Sequence, residues 1–142
     1  MDLQLGRDPR EVIDELEATY ALSCQLEDAC WKGMSAKVMG LAHAVLGDRE
    51  AADSWWRIAA RASSRETDAY VWVRADVALA RAEYALEWGL PEVARENARA
   101  AIVVAARCGL KDILARASAV REALGGLAEG SEDAVPVRSG LA

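Results

Sequence analysis

Gly47 and Gly89 stand 42 residues apart, and the same succession of residue types surrounds both. Leu46-Gly47-Asp48 is followed by Ala52, Trp56 and Ala59, and Trp88-Gly89-Leu90 is followed at the same offsets by Ala94, Ala98 and Ala101. Seven residues before each glycine lies a small residue, Gly40 or Ala82, which lets two paired helices cross closely. Helical hairpins repeating at a fixed period bury their faces only against neighbours, which is the signature of a solenoid. Helices two and three make one hairpin and helices four and five the next, with helices one and six as flanking half-units.

Local signals agree. Alanine supplies 30 of 142 residues, Phe is absent and Pro occurs three times. That composition favours helices that approach closely. Asp8-Pro9-Arg10-Glu11 opens helix one as a capping box with proline in the first turn, and helical spacing continues to about Asp28. Helix two is expected from about Cys30 to Leu46, with Asp48 capping helix three, about Arg49 to Ser64. Thr67-Asp68 restarts the chain, and helix four runs to Trp88. Pro91 sits just inside helix five, which ends near Cys108-Gly109, and helix six spans about Lys111 to Leu124, stopped by Gly125-Gly126. Residues 1–8 form a lead, 9–126 the helical domain, and 127–142 a polar stretch without periodicity, read as a disordered tail.

The length suits one domain with a single core. No apolar run approaches a membrane span, and no signal peptide opens the chain, so the protein is expected to be cytoplasmic and off the membrane. The net charge is −6, and all of it falls in residues 1–30, which carry eight acidic and two basic side chains. An acidic chain is repelled by phosphates, which argues against direct nucleic-acid binding. Cys24, Cys30 and Cys108 form no metal pattern and are expected to be small buried hydrophobes; no metal or other cofactor is expected. His43 is the one histidine, without a Ser or Cys at a persuasive spacing, so it reads as a packing residue.

The small residue, glycine turn and alanine offsets resemble tetratricopeptide repeats in a long form. Cys30-Trp31-Lys32-Gly33-Met34, Tyr70-Val71-Trp72, Gly89-Leu90-Pro91 with Ala94, and Ala105-Ala106-Arg107-Cys108-Gly109-Leu110 resemble the helical-repeat region of large bacterial ATPase-type transcriptional regulators of the LuxR and STAND kind. The similarity covers residues 9–126. It implies an all-α, right-handed α-α superhelix of six antiparallel helices, working as a regulatory protein–protein interaction module. The alternative is a small-molecule effector-sensing domain. No Gly-x-x-x-x-Gly-Lys-[Ser/Thr] occurs, so the nucleotide site of such regulators is missing from this sequence, and no separate DNA-binding module is expected after Gly126. No enzymatic activity is expected.

Helix four carries apolar residues on two sides: Val71, Trp72, Ala75, Ala78, Leu79, Ala82, Ala85 and Leu86 on one, and Tyr70, Val73, Val77, Ala80, Tyr84 and Trp88 on the other. A helix of this kind is gripped from both flanks, as an inner helix of an array is. Two polar strips separate the flanks, Arg74 with Arg81, and Asp76 with Glu83 and Glu87. One strip should line the groove where solenoids bind, and the acidic one suits a basic peptide or cationic ligand. A solvated face of i,i+4 charges is the simpler reading of the same residues, and nothing marks a catalytic carboxylate pair. Asp53, Arg57, Arg61 and Arg65 on helix three read as an exposed face with one ion pair.

Trp31, Trp72 and Trp88 sit at core phase. Trp55 and Trp56 are consecutive, so one must pack on the adjacent unit or be exposed as a contact candidate. At the ends of the array, helix one has an acidic outer face (Asp14, Glu15, Glu17, Glu27, Asp28) fit to cap it. Helix six instead carries an apolar band, Ile113, Leu114, Ala117, Val120, Ala123 and Leu124, wider than packing on helix five alone requires. A homodimer through Ile113, Leu114, Val120 and Leu124, or cover by another domain, is therefore expected.

Overall fold

The computed structural model describes residues 6–64 and 71–133, with side chains described as far as Leu127. Among them six helices run in order: α1 (Pro9–Gln25), α2 (Ala29–Val45), α3 (Arg49–Ala62), α4 (Val71–Glu87), α5 (Pro91–Cys108) and α6 (Lys111–Asp133). Among the described residues there is no strand, and no helix is long and apolar enough to cross a membrane. Sequence expectations for Arg65, the Thr67-Asp68 restart, Tyr70 and the lead before Gly6 lie outside the described residues.

Four of the turns share one construction. Each helix ends with a residue in the left-handed region, at Glu27 (φ 54°), Gly47 (81°), Gly89 (72°) and Gly109 (69°). The next amide reaches back into the closing turn: Asp28 N donates to Ser23 O at 2.9 Å, and Asp48 N to His43 O at 2.9 Å. Leu90 N and Leu110 N do the same to Ala85 O and Ala105 O. These bonds satisfy carbonyls that a helix end otherwise leaves unpaired. Asp28 and Asp48 then cap the following helices, accepting from Trp31 N and Ala51 N, each at 3.1 Å. One residue thus ends a helix and the next starts another, which folds α1, α2 and α3 back on one another.

Gly125 and Gly126 do not stop α6. Neither takes a positive φ, and the helix runs through them to Asp133. Leu124, buried one residue earlier, anchors the turn from which they extend. Residues 134–142 of the expected tail lie outside the described residues.

The core confirms the two-flanked α4. Val73, Val77 and Ala80 pack with Ala36, Ala44, Ala52, Trp56 and Ala59 of α2 and α3. On the opposite flank Ala82 and Ala85 meet Ala94, Ala98, Val120 and Leu124, and Leu79 meets Ala101 and Ala117. α4 is therefore the shared wall between the first three helices and the last two, as in a stacked helical-repeat bundle. α6 packs against α4 as well as α5, which explains its wide apolar band.

Candidate functional site

The acidic strip of α4 lies in a groove of about 560 Å³ between α2, α4 and α6. Along α2, Met34, Lys37, Leu41 and Val45 face it at helical spacing; α4 contributes Trp72, Asp76, Ala80, Glu83, Tyr84 and Glu87, and α6 contributes Arg116. Met34 to Val45 are eleven helical steps apart, about 16 Å, the reach of about five extended residues.

Two of the three carboxylates are already engaged. Lys37 Nζ forms an ion pair with Asp76, and Arg116 Nη2 with Glu83. Glu87, at the end of α4, is exposed, and among the described residues its carboxylate makes no hydrogen bond or ion pair. Three carboxylates against two cations leave the groove one negative charge, concentrated at Glu87. Beside it, burial raises the Tyr84 hydroxyl above its ordinary value, and the charges of Glu87 and Glu83 push it the same way. The Tyr84 ring belongs to an aromatic stack: Trp56 lies 5.7 Å and Trp88 5.5 Å from it, with Arg49 over the Trp88 ring at 5.2 Å. Trp72, 39% exposed, adds an open aromatic surface.

The basic strip does not join this groove. Arg81 turns to α3, where its Nη2 lies 2.8 Å from Asp53, which also forms an ion pair with Arg57 Nε at 2.7 Å. Arg81 Nε is buried without a hydrogen-bond partner among the described residues. Arg74 lines a separate shallow cleft of about 340 Å³ with Glu96, Arg99 and Val103, between α4 and α5. On helix three Asp53 thus pairs with two arginines rather than one, while Arg57 and Arg61 are exposed.

Several expectations require correction. Trp56 is 1% exposed and offers no contact surface. Trp55 is half-buried and packs edge-on against Tyr20 of α1, with centroids 5.0 Å apart at 89°. Trp31 and Trp72, expected in the core, are exposed. So are Cys24 and Cys108, while Cys30 is half-buried, so none of the three is a buried hydrophobe. Val120 and Leu124 are buried within the chain, and Ile113 packs half-buried beside Leu79, Ala101 and Ala117. Leu114 is also half-buried, so the expected dimer face is largely occupied by α4 and α5. His43 Nδ1 sits 4.0 Å from Asp48, a local contact at the end of α2.

Among the described residues, no three His, Cys, Asp or Glu side chains converge as metal ligands. Lys37 and Arg116 were missed by sequence reasoning. They lie 39 and 33 residues from the carboxylates they pair with, and no local spacing signals such partners. Comparison with protein-family models, curated proteins and solved structures finds no match for this chain.

Proposed function

We propose that the chain is a non-enzymatic interaction module whose α2–α4–α6 groove receives a short peptide segment of a partner protein. The observation that carries this reading is Glu87: a carboxylate exposed and without a partner among the described residues, at one end of a groove whose other charges are paired. Its neighbours suit a segment with one cationic and one apolar side chain. The cation meets Glu87, and the apolar side chain lies on Trp72, Leu41 and Val45, where burial of a Leu-sized group contributes about 1.5–3 kcal/mol. The likeness of the repeat motifs to the helical region of large bacterial ATPase-type transcriptional regulators supports a regulatory role in the cytoplasm. It also supports a tetratricopeptide-like, right-handed arrangement of the hairpins.

Panning a random peptide library against the chain tests the proposal. Enriched peptides should carry Lys or Arg with an aliphatic or aromatic residue; Glu87→Gln should weaken them about two- to fivefold and Trp72→Ala at least about fivefold. Enriched peptides indifferent to both substitutions would place binding elsewhere. Effector sensing is the second reading, favoured by Trp72 and Arg116 lining one groove. Under that reading, thermal-shift screening yields a small-molecule ligand whose effect depends on Arg116, and panning yields nothing.

A further inference from the structure

A second hollow lies at the other end of the first three helices. A cleft of about 670 Å³ lies between the last turn of α1, the first turns of α2 and the last turns of α3. Tyr20, Cys24, Glu27, Lys32, Ile58 and Arg61 line it.

Its charge runs against its surroundings. Residues 1–30, which supply α1 and the turn after it, carry a net −6. The cleft nevertheless presents two cations, Lys32 and Arg61, and among the described residues neither side chain makes a hydrogen bond or ion pair. Elsewhere cations that meet carboxylates across helices pair with them, as Lys37 does with Asp76, Arg81 with Asp53 and Arg116 with Glu83. Glu27 is the one carboxylate of the cleft among the described residues, which leaves a net charge of +1.

The cleft also has an apolar and hydrogen-bonding side. Ile58 gives an aliphatic wall, and Tyr20 is held upright by the Trp55 ring set edge-on against it. The Tyr20 hydroxyl titrates above its ordinary value, chiefly through burial and secondarily through the neighbouring Cys24 side chain, while the Arg61 charge pulls it down. It is therefore protonated at neutral pH and able to donate, and Arg61 lies near enough to act on the same group. Glu27 reaches the cleft from a left-handed backbone position that the three equivalent turns give to glycine.

We propose that this cleft binds a small organic oxyanion, a carboxylate or phosphate monoester on an apolar body. Lys32 and Arg61 hold the headgroup, Tyr20 donates to it, and the body lies against Ile58 and the Tyr20 ring. The site is separate from the peptide groove, and its occupancy is independent of any peptide.

Cys24 supplies the assay, because it lines the cleft, while Cys108 is also exposed, at the far end of α5. The full chain is alkylated with iodoacetamide, and the rate at each cysteine is followed by mass spectrometry. Benzoate and phenyl phosphate serve as probes, with neutral benzamide as the control at matched ionic strength. At four times its dissociation constant, a probe leaves about a fifth of the sites open and slows Cys24 about fivefold, with Cys108 unchanged. Slowing by one anion alone identifies the headgroup. Lys32→Ala and Arg61→Ala, at positions not fully buried, should abolish protection while leaving the circular dichroism spectrum intact. No slowing by either anion at its solubility limit overturns the proposal. Equal slowing by benzamide, or protection that survives the double substitution, does so too.

Discussion

The indole of Trp56 lies across α2 against the bare backbone of Gly40, and its Nε1–H donates to Lys37 O at 3.3 Å. A Cβ at position 40 would land on the five-membered ring, with Cε2 only 2.9 Å away. The second hairpin solves the same crossing differently. Ala82 and Ala98, at the offsets of Gly40 and Trp56, are both small and both buried. The pair is matched in complementary bulk rather than in identity: nothing against a tryptophan in one unit, a methyl against a methyl in the next.

Gly40→Ala tests this contact. In an exposed helix the change stabilises by about 1 kcal/mol. Here overpacking should reverse the sign and destabilise by about 1–3 kcal/mol. Trp56→Ala should cost about 3–5 kcal/mol through the cavity it leaves. The double variant reproduces the second hairpin's pairing, so it should be more stable than the sum of the two losses implies. Urea unfolding of the four proteins closes the cycle, and simple additivity would show that the two positions are not coupled.

The helices are legible in the sequence because their signals are local: Asp8 and Asp48 at starts, Gly47, Gly89 and Gly109 at ends, and the two flanks of α4. The failures are long-range. Gly125 and Gly126 resemble the other stops in composition, but a glycine ends a helix only when it turns left-handed, which depends on its downstream neighbours and their packing. The width of the α6 band is legible and its cause is not, since contact with α4 cannot be seen from α6 alone. The acidic strip is visible as a periodicity. Its reduction to one free carboxylate, Glu87, depends on Lys37 and Arg116 arriving from other helices. The turn at Glu27 does leave a trace, since Leu26-Glu27-Asp28 parallels Leu46-Gly47-Asp48.

That parallel makes Glu27→Gly informative. A left-handed conformation costs a residue with a side chain about 1–2 kcal/mol, which glycine avoids. The added chain freedom of glycine returns part of that, leaving a stabilisation of about 0.5–1 kcal/mol. Thermal unfolding should show a higher Tm, and a lower one would mean that the Glu27 side chain stabilises the turn.

Val120 and Leu124 separate a core from an interface. Leu124→Ala should lower stability by about 2–5 kcal/mol at any protein concentration, because its contacts are within the chain. Calorimetry at two concentrations tenfold apart should give the same loss. A loss that vanishes on dilution would restore the dimer face.

Tyr84 sets an alkaline limit. Its hydroxyl is raised in the folded state, so the fold favours the protonated form. The stability it supports is fully present below the ordinary tyrosine value of 10.0 and declines as pH rises from there through the folded value. Tyr84→Phe removes the titration, so the variant should lose less stability than the parent between neutral pH and the alkaline range. Parallel alkaline curves would assign the decline to other groups.

Lys37→Met probes the charge of the groove. Lys37 is mostly buried and pairs with Asp76, and methionine matches its stem while removing the charge. The substitution releases the Asp76 carboxylate and takes the groove from one net negative charge to two. Loss of this largely buried pair, which leaves Asp76 without its cation, should cost about 1–3 kcal/mol of stability. A lysine-bearing peptide selected on the parent chain should then bind about two- to fivefold more tightly, with a steeper dependence on salt. Isothermal titration at two ionic strengths reads both effects. Weaker binding to the variant would mean that Lys37 itself contacts the peptide, and the charge assignment of the groove would have to be reversed.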